Sequence, residues 1–359
     1  MLVVGMHRSG TSAAAGAIGA LGMSLPRDED RIPPSASNPD HWESNTLMHQ
    51  NDEVLSLLGG SWDAPPELRT GWERSPELGQ LSDPLERFDA AFAEPGPFVW
   101  KDPRVSLLLP YWRPLLPQPV AAVLIWRTAH AVARSLEKRD EKSLVHGVAL
   151  WERYNLAALD GLRGMDVFVL DYEDLMADHR TVLASIADWL GSIEAFGGYA
   201  AEWDVDRSAS LVRDELHHLS INDDGDRHLL REHRELTELL SALEGRHQQF
   251  DPGPRPAESP WTTDVLASRR ELRLSFTPGS EEWERMVERM QTVGRLEAEL
   301  AAATEAFAST EDALGATHGE LEKLNRYVTD MQASTSWRVT KPLRALASRG
   351  GGDRGGQHP

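Results

Sequence analysis

The chain predicts a three-layer α/β fold on a central parallel sheet, followed by a helical, coiled-coil C-terminal segment. Three observations predict it. Short apolar runs at 2–5, 98–100, 120–126 and 167–170 each give way to polar residues and then to a helical pattern, as buried parallel strands joined by helices do. The first run leads into a glycine-spaced turn, GMHRSGTS at 5–12, and then into the small-residue run AAAGAIGAL. Far downstream, Met286, Val293, Leu300, Phe307, Leu314, Leu321 and Val328 recur every seven residues, which is one full seam of a heptad repeat.

The turn comes first in the chain. A strand, a glycine turn and a helix start together present backbone N–H groups to an anion, so 5–12 reads as a P-loop-like phosphate cradle. Gly5 and Gly10 have the spacing of the nucleotide-triphosphate loop, but Thr11 stands where that loop has its lysine, and the cation comes earlier, at Arg8. Without the lysine a γ-phosphate is poorly gripped. A single 5′-phosphate carrying a small transferable group suits the loop better, held by Arg8, the amides of Ser9, Gly10 and Thr11, and the hydroxyls of Thr11 and Ser12.

The stretch 24–97 is rich in proline, acid and tryptophan and reads as loops and short helices over the sheet edge, where an acceptor pocket or lid would lie. FVWKDPR at 98–104 brings Lys101, Asp102 and Arg104 to the same edge as Arg8. In VAAVLIWRTAHAVARS at 120–135, Arg127 ends a strand and Ser135 lies eight residues on, about two turns into a helix that Thr128 caps. An arginine at a strand end with a hydroxyl on the next helix makes a second phosphate pocket, separate from the first. VFVLDYEDL at 167–175 is a strand ending in acids, and Tyr172, Glu173 and Asp174 are assigned to structural hydrogen bonds.

Beyond about 191 strand signals fade, and 206–244 reads as polar helices. Their histidines, His217, His218, His228 and His233, match no metal-site spacing and are placed on solvated helix surface. DPGPRPAESP at 251–260 is a linker by composition. The domain division is therefore a catalytic domain at 1–250, a linker at 251–280, a coiled coil at 281–333 and a basic, partly disordered tail at 334–359. The second heptad seam is poor, with Glu297, Thr304, Glu311, His318 and Asn325 at its positions, and Gly294, Gly315 and Gly319 each cost about 1 kcal/mol of helix propensity. A weak or partner-dependent coiled coil follows, with a single amphipathic helix folded back on the domain as the alternative.

At 359 residues the chain can bury a proper core, and its formal net charge of −20 argues against general nucleic-acid binding, which needs clustered cations. The absence of cysteine excludes disulfides, thiolate nucleophiles and thiolate zinc sites. No basic leader precedes the first strand and the apolar stretch at 13–23 is too short to span a bilayer, so a cytoplasmic chain with no transmembrane segment is expected.

One loop for a 5′-phosphate and a distinct arginine and serine for another phosphate suggest a nucleotide phosphorylated at both ends of its ribose. On these residues the chain resembles the sulfotransferase family, whose donor is 3′-phosphoadenosine-5′-phosphosulfate. GMHRSGTS is similar to the family's 5′-phosphosulfate loop, Arg127 with Ser135 to its 3′-phosphate motif, and DYEDL to a frequent strand end; the match covers about 1–195. The Arg8 form of the loop and the KDP of 101–103 are most similar to tyrosylprotein sulfotransferases and bacterial relatives. The ending STSWRVTKPLRAL resembles tails that follow coiled coils in bacterial surface-polysaccharide glycosyltransferases.

The resemblance implies roles. Arg8, Ser9, Gly10, Thr11 and Ser12 hold the 5′-phosphate, Arg127 and Ser135 the 3′-phosphate, and Lys101 stabilises the sulfuryl group and the leaving oxygen, with no metal required. The family's frequent base histidine falls near Pro103, so the base is sought among carboxylates: Glu43 in NPDHWESN, its pKa expected to rise by burial against Trp42, with Asp102 as the alternative. The expected acceptor is a hydroxyl of a glycan or glycolipid, with a protein tyrosine or small metabolite as alternatives. The coiled coil is expected to mediate homo-oligomerisation or to dock a glycosyltransferase partner. Two other function classes stay open: a P-loop nucleotide kinase or ATPase, which Thr11 disfavours, and a coiled-coil scaffold carrying an inactive nucleotide domain.

Overall fold

The computed structural model describes residues 1–33, 41–92, 96–116, 120–212, 233–275, 315, 317–331, 333 and 337. They fall into two compact units, Met1–Ser275 and Phe276–Pro359. In chain order the first unit carries β1 (Leu2–Val4), α1 (Thr11–Ala20), α2 (Asn45–Leu57), α3 (Pro84–Ala91), β2 (Trp100–Lys101), α4 (Val105–Trp112), β3 (Ala121–Trp126), α5 (Ala129–Asp140) and α6 (Leu144–Gly161). It continues with β4 (Asp166–Asp171), α7 (Tyr172–Ala177), α8 (His179–Ser192), α9 (Glu194–Gly197), α10 (Val205–Ser210), α11 (Arg234–Ala242), β5 (Gly245–His247) and α12 (Pro260–Ser275).

The sheet order is β2-β1-β3-β4-β5, with the first four strands parallel and β5 antiparallel to β4. The expected parallel sheet is thus mostly parallel, and β5 lies in a region whose sequence, GRH, carries no apolar or β-branched signal. Side chains alternate between two cores. Leu2, Val4, Ala122, Leu124, Trp126, Val167 and Val169 face one, and Val3, Ala121, Val123, Ile125, Phe168 and Leu170 face the other. Burial on both faces is why these strands read as continuous apolar runs.

The chain leaves β1 for β2 on one side and then crosses to β3 on the other. The crevice outside the carboxyl ends of β1 and β3 is therefore the topological switch point, where open α/β sheets bind ligands. The register pairs Val3 with Lys101 and Val123, and Trp126 with Asp171, so Lys101, the Gly5 turn, Arg127 and Asp171 all emerge at this edge.

The 24–97 insertion holds more helix than its composition suggests. Ser44 caps α2 by accepting from the Leu47 amide at 3.0 Å, and Asp30 accepts from the amide and the hydroxyl of Thr46 at 3.0 and 2.6 Å.

Two expectations are corrected. Residues 251–275 are not a linker: Gly164 donates to the Phe250 carbonyl at 2.8 Å, Arg153 donates to Glu258 at 2.6 Å, and Trp261, Val265 and Leu266 of α12 pack into the core that holds α6. The prolines of 251–260 shape a tightly attached crossing rather than a free tether. His233 is not on solvated surface either. It is buried between Trp151 and Trp261, with ring centroids 6.0 and 5.5 Å away, and its Nδ1 lies 3.5 Å from Glu152. An indole slot with a buried carboxylate at its end accommodates an imidazole, and residue polarity alone does not reveal that. His217, His218 and His228 lie outside the described residues.

Of the second unit, residues 317–331 are helical, with Leu321, Leu324 and Tyr327 exposed. The seam positions Met286 to Leu314 lie outside the described residues. No helix among the described residues is long and apolar enough to cross a membrane.

Candidate functional site

The glycine turn is built by close approach. A side chain at Gly5 would meet the Ile125 carbonyl, and one at Gly10, where φ is 88°, would meet the Tyr172 ring. Ser106 braces the turn from beneath, accepting from the Gly5 amide at 2.9 Å and donating to the Gly5 carbonyl at 3.1 Å. Arg8 stands at φ 68°, a left-handed conformation that costs a non-glycine residue energy and often marks a functional site. Gly10 occupies the N-cap of α1, where no side chain caps the helix start.

Arg8 Nε donates to Ser135 Oγ on α5 at 2.8 Å. Ser135, expected beside Arg127, is thus joined to the first loop, so the two anticipated pockets are neighbours on one surface. Thr128 does cap α5, accepting from the Ala131 amide. Arg127 is buried, its guanidinium 4.4 Å above the Tyr172 ring and its Nε donating to Glu173 at 3.0 Å. Tyr172 therefore packs on both Gly10 and Arg127. Among the described residues, Ser9 Oγ in the turn and Arg127 Nη2 at the strand end are buried polar atoms with no hydrogen-bond partner.

The third cation is Lys101, 1% exposed. Its Nζ donates to Ser12 Oγ at 2.8 Å and forms an ion pair with Glu43 Oε1. Glu43 reaches it because Trp42, at φ 51°, lays its indole against Gly16 of α1, where a side chain would collide with it. His41 Nδ1 lies 3.4 Å from the other Glu43 oxygen. Burial raises the Glu43 carboxyl, as anticipated, but the Lys101 charge and the His41 contact outweigh it and hold the group below its ordinary value. The anticipated upward shift is corrected accordingly. Burial in turn lowers Lys101, against the opposing pull of Glu43.

Asp102 is fully engaged elsewhere. One oxygen accepts from Asn51 Nδ2 at 2.9 Å, the other from the amide and Nη1 of Arg104 at 2.9 and 3.1 Å. It orients Arg104 and anchors α2 rather than facing an acceptor. Asp52 holds Arg104 from the other side at 2.6 Å. Thr11 is buried at the start of α1.

Sequence reasoning missed three contributors. Ser106 carried no signal, because the serine braces the turn across the fold. Arg139 on α5 acts electrostatically on both Arg8 and His7, and burial followed by Arg139 lowers Arg8 below its ordinary value. His7 sits inside the turn itself, buried against Trp62 at 4.6 Å and Tyr154 at 5.7 Å, and its place between the glycines was the one available cue.

The site thus gathers Arg8, Lys101, Arg104, Arg127 and Arg139 at one sheet edge of a chain whose net charge is −20. Such a cluster beside an uncapped helix start suits a polyanion. Comparison with known proteins gives no match: no family model matches the chain, and neither a curated protein nor a solved structure does so.

Proposed function

We propose that the protein is a sulfotransferase that moves a sulfuryl group from 3′-phosphoadenosine-5′-phosphosulfate to an acceptor hydroxyl, on a P-loop-like fold. The observation that carries this reading is the pair of buried polar atoms without partners, Ser9 Oγ in the turn and Arg127 Nη2 at the end of β3, each at an expected phosphate position. Buried polar groups are rarely left unpaired, so an orphaned atom at each position favours a ligand with two separated anionic groups. Thr11 in place of the P-loop lysine favours a 5′-phosphosulfate over a triphosphate.

In this reading Arg8, the turn amides and the hydroxyls of Thr11 and Ser12 hold the 5′-phosphate, and Arg127 with Ser135 serves the 3′-phosphate. Lys101 faces the sulfuryl oxygens and the leaving oxygen. As the acceptor oxygen forms its bond to sulfur, the bond from sulfur to the bridging oxygen breaks and the hydroxyl proton passes to Glu43. Adenosine 3′,5′-bisphosphate departs. The Glu43 carboxylate is held down by Lys101 in the free protein, so donor oxygens that take up the Lys101 charge raise its basicity at the moment of need.

A glycan or glycolipid acceptor, a cytoplasmic location and a coiled-coil contact through the exposed Leu321, Leu324 and Tyr327 belong to the same proposal. The test is transfer of radiolabelled sulfuryl from the donor to a panel of sugars, glycolipids and peptides. A labelled acceptor that requires both Lys101 and Arg127 supports the reading, and no transfer to any acceptor together with no donor hydrolysis counts against it.

A further inference from the structure

His7 is the one polar side chain of the turn that neither phosphate position uses. It is 8% exposed, its Nε2 has no hydrogen-bond partner, and its ring is held by Trp62 of the insertion and Tyr154 of α6. Trp62 is itself fixed: its carbonyl accepts from the Tyr154 hydroxyl at 2.7 Å, and Lys142 and Arg139 lie 4.9 and 5.8 Å from its ring. The imidazole is therefore a preset polar group rather than a mobile one.

We infer that His7 is a ligand-reading residue of the anion site: its buried, unpartnered imidazole, fixed inside the glycine turn, takes up a proton when a polyanion occupies the site. This deepens the donor-binding reading by assigning a group of the same site. The electrostatic surroundings give the reason. Burial, then Arg104, Arg139, Lys101 and Arg8, keep the free imidazole well below its usual range.

The charged groups around it are accounted for. Arg104 is paired with Asp102 and Asp52, Arg139 with Asp140, and Lys101 with Glu43, while Lys142 beside Trp62 is paired with Asp63. These carboxylates leave the cations still dominant at His7. A bisphosphorylated nucleotide brings about four negative charges, which raise a nearby imidazole against the pull of these cations. The ligand thus supplies the counter-charge that the protein withholds. Binding and proton uptake are then linked, and affinity rises as pH falls toward 6.

The experiment is calorimetry of adenosine 3′,5′-bisphosphate binding to the full chain at pH 7 in two buffers of different ionisation enthalpy. Net proton uptake is expected for the natural chain and about none for His7→Gln, with affinity about 3–10-fold weaker. Equal uptake in both overturns the role of His7 and leaves the donor reading standing. No binding of the bisphosphate overturns the donor reading, and His7 is then judged by NMR of its imidazole with and without inorganic pyrophosphate. A free midpoint well below 6.5 that moves upward with pyrophosphate supports the inference; a free midpoint at or above 6.5, or one that pyrophosphate leaves in place, overturns it. The same titration decides the matter if His7→Gln does not fold.

Discussion

Lys101 and Glu43 form a buried ion pair at the C-terminal edge of the sheet, with Ser12 accepting from the same ammonium at 2.8 Å. Removing one partner strands the other charge. Lys101→Met is expected to cost about 3–5 kcal/mol in urea unfolding, and the double change Lys101→Met with Glu43→Gln to recover most of that loss. Additive costs would mean that the two side chains do not depend on each other. Glu43→Gln alone is expected to keep donor binding and to lower turnover roughly 10²–10⁴-fold, since a base acts on the acceptor. Unchanged turnover would remove Glu43 from the chemistry.

Arg127 stacks on Tyr172 and already has a partner in Glu173, so its loss should spare the fold more than it spares binding. Arg127→Ala is expected to weaken adenosine 3′,5′-bisphosphate by about 1.5–3 kcal/mol, the scale of a charged hydrogen-bonding group. Ser135→Ala releases Arg8 and should cost about 1 kcal/mol in the same titration. An affinity untouched by either change contradicts the assignment of a 3′-phosphate to this end of the site.

His146 gives a pH prediction that does not depend on function. Its Nε2 lies 2.6 Å from the Asp63 carbonyl, and burial lowers its pKa to about 4. An unfolded histidine titrates near 6.5, so the folded state resists a proton that the unfolded state accepts. The stabilisation is full above about pH 6.5 and is lost as pH falls from about 6.5 to 4, by up to about 3 kcal/mol. Urea unfolding at pH 7.5 and 4.5 should show a smaller drop in His146→Gln than in the natural chain. An identical drop in both would place the acid sensitivity elsewhere.

The attached 251–275 segment sets the limit of the folded unit. A chain ending at Ser275 should fold and bind donor, whereas one ending at Asp251 loses the buried Leu266, worth about 1.5–3 kcal/mol, together with the half-buried Trp261 and Val265. Thermal unfolding of the two shortened chains distinguishes them, and equal midpoints would return α12 to the status of a linker.

The strands, the glycine turn, Arg8, Lys101, Arg127 and the Thr128 cap were legible because each rests on local pattern: apolar runs, glycine spacing, a cation at a strand end. What was not legible depends on partners distant in sequence. The depressed Glu43 carboxyl needs Lys101, the Ser135 bond needs Arg8, and the brace on Gly5 needs Ser106, each across tens of residues or more. β5 is a strand because β4 offers it an edge, and His233 is buried because Trp151 and Trp261 leave it a slot. Composition described 251–260 correctly as proline-rich and misjudged its freedom, since the ion pair of Arg153 with Glu258 lies in the fold and not in the local sequence.

The most direct measurement of the central claim is equilibrium binding of adenosine 3′,5′-bisphosphate and of ATP to the full chain, each with excess EDTA and each with Mg²⁺. The proposed reading, two phosphate positions without a P-loop lysine, predicts that the bisphosphate binds at least about tenfold more tightly than ATP and that EDTA leaves it bound. Tight ATP binding that requires Mg²⁺, with the bisphosphate weak or absent, would contradict the account.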